Sequence, residues 1–133
     1  MLYEYRLETP KEGFIDITEQ VRDACRQSGV FDGMMTVYCP HTTAGVTINE
    51  NTDPDVKNDL LLALNKTYPD RAEFRHAEGN SAAHLKASVI GSSVTIMIDD
   101  GEPVLGKWQA VYFTEFDGPR SRRFTVKVMG IRK

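Results

Sequence analysis

Residues 108–131 of this chain read WQAVYFTEFDGPRSRRFTVKVMGI, and the pattern within them indicates the fold class. Two runs rich in aromatic and β-branched residues, 108–116 and 123–131, flank the residues DGPR, a composition typical of a tight turn. The run 94–98 adds another strand before an Asp-Asp-Gly turn. The C-terminal third is therefore predicted to be an antiparallel meander.

Shorter apolar runs toward the N-terminus predict further strands. Partial alternation over residues 2–7 and an apolar run at 14–17, separated by a turn, predict an opening β-hairpin. Two more β-branched runs, 34–39 and 45–49, are separated by a polar joint at 40–43. We therefore expect most of the chain to be β-structure.

Three internal segments have the apolar spacing and end signals of helices. An Asp-Pro pair, with the aspartate at the N-cap and the proline at the first helical position, makes the second of them the clearest. The predicted helices run from Thr18 to Gly29, from Asp53 to about Lys66, and over residues 81–90 with Asn80 or Ser81 as the cap.

Length and composition indicate one globular domain. With 133 residues, 41% of them hydrophobic and 26% charged, residues 1–133 are predicted to form a single α+β domain. No window approaches the roughly 18–20 apolar residues of a membrane helix, and the first residues do not resemble a signal peptide. We expect a cytoplasmic protein without a membrane partner. Its two cysteines should be reduced, with Cys25 in the core.

The charge is distributed unevenly along the chain. Residues 1–118 hold all 19 acidic residues and ten basic ones, whereas residues 119–133 hold six basic residues and no acidic one. The acidic main body argues against nucleic-acid binding. The basic end either pairs with acidic neighbours in the fold or holds an anionic ligand through arginines. Arg120, in the DGPR turn, either contacts a phosphate or closes a salt bridge to Glu115 or Asp117.

All three histidines, His41, His76 and His84, fall between residues 41 and 84. Neutral imidazoles gathered from separate segments commonly hold zinc or a related divalent metal. The spacing matches no standard zinc motif, so unrelated surface or core histidines remain the alternative.

The residues before the third helix are a candidate anion site. The segment Glu78-Gly79-Asn80-Ser81 follows a long charged loop and places free backbone N–H groups beside His84, where a phosphate could bind. The alternative is an ordinary capped helix start.

Four carboxylates occur within ten residues after the strand that leads away from His41. The helix dipole explains Asp53 and Asp55 at a helix N-terminus. Glu50 follows the strand directly and is a candidate general acid/base or metal-bridging group. The full set is Glu50, Asp53, Asp55 and Asp59.

Two other residues have both a structural and a functional interpretation. Cys39 and His41 are two residues apart and raise the possibility of a cysteine nucleophile, although Pro40 disturbs their alternation. Trp108, the single tryptophan, most simply starts a buried strand, and stacking on a ring substrate is the alternative.

Several separated motifs occur in one register from about residue 3 to the C-terminus. They are His41-Thr42-Thr43-Ala44, Thr47-Ile48-Asn49-Glu50-Asn51, Asp53-Pro54-Asp55, Asp59-Leu60, His76-x-Glu78-Gly79-Asn80-Ser81, His84-Leu85, Leu105-Gly106-x-Trp108-Gln109 and Asp117-Gly118-Pro119-Arg120. Together they resemble the YjbQ family, which was long described as uncharacterised.

The resemblance implies a compact α+β domain with a curved, mostly antiparallel sheet packed with helices. It also implies a homotrimer and a secondary thiamine phosphate synthase activity, in which thiazole phosphate displaces pyrophosphate from hydroxymethylpyrimidine diphosphate. A divalent metal, zinc or magnesium, is expected at His41, His76 and His84. The expected catalytic residues are Glu50, Asp53 and Arg120, and the expected substrate-binding residues are Thr42, Thr43, Asn49, Asn80 and Ser81.

Two other functions fit the same residues. One is a non-catalytic metal- or small-ligand-binding protein whose synthase activity is incidental, and the other is a metal-dependent phosphate-ester hydrolase. A site shared between subunits of a trimer would bring Arg120 and the histidines together across an interface. In each case the expected partner is a small phosphorylated compound.

Overall fold

The computed structural model describes residues 1–133, which form eight strands and three helices. This composition confirms the α+β class. In chain order the elements are β1 (Leu2–Glu8), β2 (Gly13–Asp16), α1 (Thr18–Ser28), β3 (Val30–Tyr38), β4 (Ala44–Glu50), α2 (Pro54–Thr67), α3 (Ser81–Ile90), β5 (Ser93–Asp99), β6 (Glu102–Pro103), β7 (Gln109–Glu115) and β8 (Ser121–Arg132).

The strands form two antiparallel sheets, one of five strands in the order β1-β8-β3-β5-β6 and one of three in the order β2-β7-β4. The predicted C-terminal meander is wrong, because β5 and β8 both flank β3 whereas β7 belongs to the smaller sheet. The predicted N-terminal hairpin is also wrong. β1 pairs with β8 of one sheet, and β2 pairs with β7 of the other.

Burial explains why β7 and β8 lie in different sheets. Every residue of β7 after Gln109 is buried, so both faces of this strand are covered. From Ser121 to Met129, β8 instead has buried residues at alternate positions, which is the pattern of a strand with one open face. A hairpin would have given the two strands similar environments.

Two crossover segments, residues 9–12 and 116–120, carry the chain between the sheets side by side. The Thr9 N–H donates to the Arg120 carbonyl oxygen at 2.9 Å, and the Gly118 N–H donates to the Lys11 carbonyl oxygen at 2.8 Å. A Cβ atom added to Gly118 would lie 2.0 Å from the Pro10 carbonyl oxygen, so this close approach requires glycine.

The main core lies between the two sheets, and α1 packs against strands of both. Cys25 on α1 is 1% exposed, which confirms its predicted place in the core. On the outer face of the smaller sheet, α2 and α3 form a second layer in which Ala83 and Ala87 pack against Phe116. These layers leave one face of the five-stranded sheet uncovered.

The helix boundaries follow the local signals closely. Gly29 ends α1 in the left-handed conformation with φ 67°, and the Asp53 carboxylate accepts from the Asp55 N–H at 2.9 Å at the start of α2. Thr18 is the first residue of α1 rather than its cap; its own N–H donates to the Asp16 carboxylate at 2.9 Å.

Two apolar surfaces remain exposed. Met97, Met34 and Met129 are neighbours across β5, β3 and β8, and are 62%, 53% and 63% exposed; we call them the methionine row. No residue of α2 is buried, and Leu62 on this helix is 54% exposed. None of the helices combines the length and the apolar character required to cross a bilayer.

Candidate functional site

The fold brings the three histidines to one open cavity of about 370 Å³, here called the histidine cavity. The joint between β3 and β4, the loop before α3, α3 itself and the second crossover all contribute to its wall. None of its lining side chains is hydrophobic. They are Pro40, His41, Thr42, Thr43, His76, Glu78, Asn80, His84, Asp117, Arg120 and Arg122.

His76 and His84 lie close together in this cavity. Their ring centroids are 5.4 Å apart and the rings are nearly perpendicular, at 81°. His76 is on an exposed loop, whereas His84 is on the first turns of α3 and is half-buried. The predicted clustering of these two side chains is therefore present in the fold.

His41 is held by the backbone of β8. Its Nε2 lies 3.0 Å from the Arg123 nitrogen and 3.1 Å from the Arg123 carbonyl oxygen, which leaves Nδ1 without a partner in the protein. Burial, together with the positive charge of Arg122, lowers the pKa of His41. The neutral imidazole, the form that binds metals, is thereby favoured.

The donor atoms around the cavity suit a divalent metal. Imidazole nitrogens from three segments are typical zinc ligands, and the Asn80 Oδ1 atom beside them is buried without a hydrogen-bond partner. However, no three His, Cys, Asp or Glu side chains already converge on one point where an ion would bind. Ligation by all three histidines therefore requires these side chains to move toward one another.

A buried ion pair supports the wall of the cavity from behind, through Arg122. Glu115 is 0% exposed and Arg122 is 6% exposed, and Arg122 donates to Glu115 through Nε at 2.7 Å and through Nη2 at 2.5 Å. Glu115 also accepts from the Thr9 hydroxyl at 2.5 Å and from the Asp117 N–H at 3.0 Å. Burial alone would raise the pKa of Glu115, but the hydrogen bonds from Arg122 and Thr9 lower it.

This arrangement fixes Arg122 at the cavity wall. Its Nη2 also donates to the Thr43 hydroxyl at 2.8 Å, while its Nη1 has no hydrogen-bond partner in the protein. A guanidinium held so rigidly can present its remaining N–H groups to an anion at little entropic cost. From the sequence, Arg122 was only part of a basic segment and was not among the predicted site residues. The sequence did contain one sign that Arg122 is buried. It lies two residues before Phe124 on a strand whose apolar residues alternate, so both side chains point to the same face.

Arg120 lies in the same cavity but is more exposed. Its Nη2 is 3.0 Å from the Asp117 carboxylate and its Nε donates to the Asp117 carbonyl oxygen at 2.7 Å, so the salt-bridge alternative with Asp117 is present. Asp117 also accepts from Asn80 Nδ2 at 2.8 Å. Burial alone would raise the pKa of Asp117, but the hydrogen bonds from Asn80 and Arg120 lower it.

The start of α3 is capped from the preceding loop. Asn80 occupies the N-cap position without a side-chain cap, and the Asp70 carboxylate instead accepts from the Ala82 N–H at 3.2 Å. This contact occupies one of the backbone donors that an anion would use. Ser81 begins the helix but is not among the residues that line the cavity.

The predicted residues Asn49, Glu50 and Asp53 lie elsewhere. His41 precedes the first residue of β4, whereas Glu50 is the last residue of this strand, about 20 Å further along it. Asn49 and Glu50 do not line the histidine cavity, and neither does Asp53, the cap of α2. Within one chain, the fold does not bring these carboxylates to the histidines.

A larger cleft of about 530 Å³ lies at this other end of the molecule, between α1 and residues 105–109. Its lining includes Asn51 and Gln109, which lie close to Glu50, but no histidine. We therefore place the candidate site at the histidine cavity, where titratable and cationic groups converge.

The structure also bears on the sequence interpretations of Cys39 and Trp108. Cys39 is 1% exposed and burial raises the pKa of its thiol to about 11, which disfavours the thiolate that a nucleophile requires. Trp108 is 52% exposed before β7, so its predicted place in a buried strand is wrong. The Lys107 ammonium lies 4.7 Å from the centroid of its ring, with which it makes a cation–π contact.

Comparison with known proteins gives a consistent result. The sequence is 51% identical over 131 residues to UPF0047 protein MJ1081 of Methanocaldococcus jannaschii, covering 98% of this chain and 95% of that protein. It is 49% identical over 123 residues to UPF0047 protein YugU of Bacillus subtilis, covering 92% and 93%.

Solved structures are similar over the whole domain. An uncharacterized conserved protein of the YjbQ/UPF0047 family from Clostridium acetobutylicum has a TM-score of 0.93 at 55% identity, covering 96% of this chain and 99% of that one. A YbjQ-like protein of unknown function from Sulfolobus solfataricus has the same TM-score at 27% identity, covering 98% and 97%. The family profile described as UPF0047 protein YjbQ-like matches residues 3–131. The chain therefore belongs to this family.

Proposed function

We propose that this protein is a secondary thiamine phosphate synthase that acts in the cytoplasm and uses the histidine cavity as its active site. The observation that carries the proposal is the convergence of two arginines and three histidines on one cavity without a hydrophobic side chain. Such a wall suits a phosphorylated substrate, because cationic and hydrogen-bonding groups surround it on several sides.

In the proposed reaction the thiazole ring nitrogen attacks the methylene carbon of hydroxymethylpyrimidine diphosphate. A carbon–nitrogen bond forms, the bond from that carbon to the diphosphate oxygen breaks, and pyrophosphate leaves with the electron pair. Arg122 Nη1 and the Arg120 guanidinium would stabilise the departing negative charge. The hydroxyl groups of Thr42 and Thr43 lie beside them and would orient the phosphate oxygens.

His41, His76 and His84 are the residues that would hold a zinc or magnesium ion. Such an ion would supply Lewis-acid stabilisation of the pyrophosphate leaving group. Asn80 Oδ1, buried without a partner, is an additional oxygen ligand that the chain offers at this wall. This proposal predicts metal-dependent movement of the His76 and His41 side chains.

We further propose that the chain assembles as a homotrimer and that the site is completed across an interface. Asn49, Glu50 and Asp53 lie at the opposite end of β4 from His41, so they can join the histidine cavity only from another subunit. The methionine row and the exposed side chain of Leu62 supply apolar surface for such an assembly.

A phosphate-ester hydrolase is the second candidate. The lining of the histidine cavity contains no Phe, Tyr or Trp side chain on which a pyrimidine could stack, and this favours a reaction at the phosphate itself. A non-catalytic binding protein would use the same groups without turnover. Product analysis distinguishes all three functions.

The deciding experiment incubates the purified protein with both thiamine precursors together and with each one alone. A synthase releases pyrophosphate and thiamine phosphate only from the mixture, whereas a hydrolase releases phosphate from a single precursor. We expect Arg120→Met to lower synthase turnover about a hundredfold, as loss of a charge-stabilising donor does elsewhere. Arg6→Met, which removes an exposed arginine on β1, is the matched control. Binding of both precursors without any product would support the binding protein instead.

Elemental analysis tests the metal separately. The native protein should contain about one divalent ion per chain, and His76→Ala and His84→Ala should each reduce this content. Equal metal content in the wild type and both variants would remove the metal from the proposal. It would leave the synthase reaction to be judged by its products.

A further inference from the structure

A second cavity, of about 320 Å³, lies on the other side of the wall formed by Asn80 and Asp117, and is here called the Lys86 cavity. The first turns of α3, the end of α2, the residues after α2 and the first crossover enclose it. Unlike the histidine cavity it has hydrophobic lining residues, among them Phe116 and Ala83. The proposed synthase reaction assigns it no role.

Lys86 is the unusual residue of this cavity. It is 7% exposed, yet it takes part in none of the ion pairs of the protein. Its Nζ donates to Asn65 Oδ1 at 2.5 Å and lies 5.6 Å from the centroid of the Phe116 ring. An ammonium group has three donors, so two of them have no acceptor in the protein. A buried charge with this little compensation is costly unless something else binds it.

The carboxylates around the cavity are already engaged and do not fill this gap. Asp117 pairs with Arg120, and Asp70 accepts from the Ala82 N–H. Glu12 accepts from Asn65 Nδ2 at 3.1 Å, and thereby orients the Asn65 oxygen toward Lys86. Asn65 therefore acts as a neutral bridge between Glu12 and Lys86, which keeps the carboxylate and the ammonium apart.

Three carboxylates and two ammonium groups line the cavity, and each carboxylate already accepts a hydrogen bond from the protein, which leaves the ammonium groups as the charges available to an anion. Lys11 lines it from the first crossover, and the N-terminal end of α3 lines it from the opposite side. The dipole of this ten-residue helix adds positive potential at that end. The apolar portions of Phe116 and Ala83 reduce hydration, so that a charge-assisted hydrogen bond to Lys86 is stronger than at the surface.

We propose that the Lys86 cavity is a second ligand site, which binds the oxyanion group of a small molecule, a carboxylate or a phosphate monoester, through the two free N–H donors of Lys86. This site is separate from the histidine cavity and does not depend on the synthase reaction. The two cavities share Asn80 and Asp117, so the experiment must show at which of them an anion binds.

The test is a titration of the metal-free, full-length protein with inorganic phosphate and, in a second arm, with acetate, followed by backbone amide NMR. Binding in the Lys86 cavity should shift the amide signals of Lys11, Asn65 and Gly79. Binding in the histidine cavity should instead shift those of Thr42 and His76. A response to both probes indicates a general oxyanion site, whereas a response to one of them selects the phosphate or the carboxylate source.

Lys86→Met is the variant that removes the ammonium while keeping most of the side-chain volume. We expect it to weaken probe binding at this cavity about tenfold or more, the loss typical of one charge-assisted hydrogen bond. Lys66→Met, at an exposed position on α2, is the matched control and should bind as the wild type does.

Thermal unfolding in anion-free buffer separates ligand binding from a structural role. If Lys86 is kept for an anion, Lys86→Met should unfold at the same temperature as the wild type or higher, because an incompletely compensated buried charge is removed. The proposal is overturned if Lys86→Met binds both probes as tightly as the wild type. It is also overturned if only the histidine-cavity amides shift, or if the wild type binds neither probe. The proposed synthase could stand in each of these cases, since its own test uses turnover.

Discussion

At the scale of single residues, the Glu115–Arg122 pair determines how the histidine cavity is built. Glu115 accepts hydrogen bonds from Arg122, Thr9 and the Asp117 backbone, which belong to three different parts of the chain. One carboxylate therefore connects both crossovers to the strand that carries Arg122. Glu115 does not line the cavity itself, so it affects the cavity by holding Arg122 in position.

We predict that Glu115→Gln destabilises the protein by about 3–5 kcal/mol, the cost typical of leaving one partner of a buried ion pair uncompensated. Urea denaturation gives the free energy of unfolding. The double variant Glu115→Gln/Arg122→Met should recover part of this loss, because it leaves no lone buried charge. Glu4→Gln, at an exposed position on β1, should change stability little. A loss of the same size in the control would contradict the assignment.

The pH dependence follows from the same pair. The pKa of Glu115 is lower in the folded protein than its ordinary value of 4.5, so the unfolded chain binds the proton more tightly. The stabilisation is therefore complete above that ordinary value and is lost as the pH falls through the folded pKa. We predict that the free energy of unfolding decreases more steeply under acid conditions in the wild type than in the double variant. Parallel acid profiles for the two proteins would contradict this.

At the scale of elements, Asp53 has a structural role as a helix cap and a predicted role in catalysis. Comparing Asp53→Ala with Asp53→Asn distinguishes the two roles. The Asp53 side chain caps α2, and it was also predicted to act in catalysis. Asn is as good an N-cap as Asp, whereas Ala provides no cap. We predict that Asp53→Ala lowers the free energy of unfolding by about 1 kcal/mol, while Asp53→Asn leaves it nearly unchanged.

Turnover of the same two variants then reports on the carboxylate. If Asp53 acts in the reaction, Asp53→Asn loses activity although its stability is kept. If Asp53 is only a cap, Asp53→Asn retains activity, and any loss in Asp53→Ala follows from stability alone. Either result can be obtained with purified protein by combining the turnover assay with urea denaturation.

The elements also show which parts of the fold could be predicted from the sequence. The ends of α2 and α3 were predicted closely because a cap, a proline or a glycine acts on the few residues next to it. The partners of the strands were not predicted, because strand pairing depends on residues that are far apart in the sequence, as in the pairing of β1 with β8. The missing alternation in residues 110–115 was the one local sign that β7 is covered on both faces.

Some residues of the candidate site could likewise be predicted from the sequence, and others could not. His41, His76 and His84 could be predicted because histidine is rare and chemically distinctive in this chain. Arg122 and Lys86 could not, because what makes them unusual is burial, which depends on the packing of distant segments. Glu50 was predicted to act as a general acid/base or metal-bridging group, but within one chain a strand of extended backbone separates it from His41.

At the scale of the whole molecule, the methionine row is the surface most suited to assembly. Its three side chains lie side by side on the uncovered face of the five-stranded sheet. We predict that Met34→Lys, at the centre of the row, shifts the proposed trimer toward the monomer, because a charge would have to be desolvated at the interface. Light scattering after size-exclusion chromatography measures the mass.

Glu4→Lys is the control for that experiment, since Glu4 lies on the edge strand β1 and already carries a charge. A mass that does not change in Met34→Lys would exclude the methionine row as the trimer contact. A wild-type protein that is monomeric over the whole concentration range would contradict the trimer itself.

The pairing of β1 with β8 has a consequence for synthesis on the ribosome. Every residue of β1 has its partner within Ser121–Lys127. Strand β1 therefore stays without its native partner until β8, more than 110 residues further along the chain, has been translated. The central strand β3 depends on the same late residues, since it takes β8 as one of its two neighbours. The larger sheet is thus completed only once β8 has left the exit tunnel, and until then its exposed strand edges are available to chaperones.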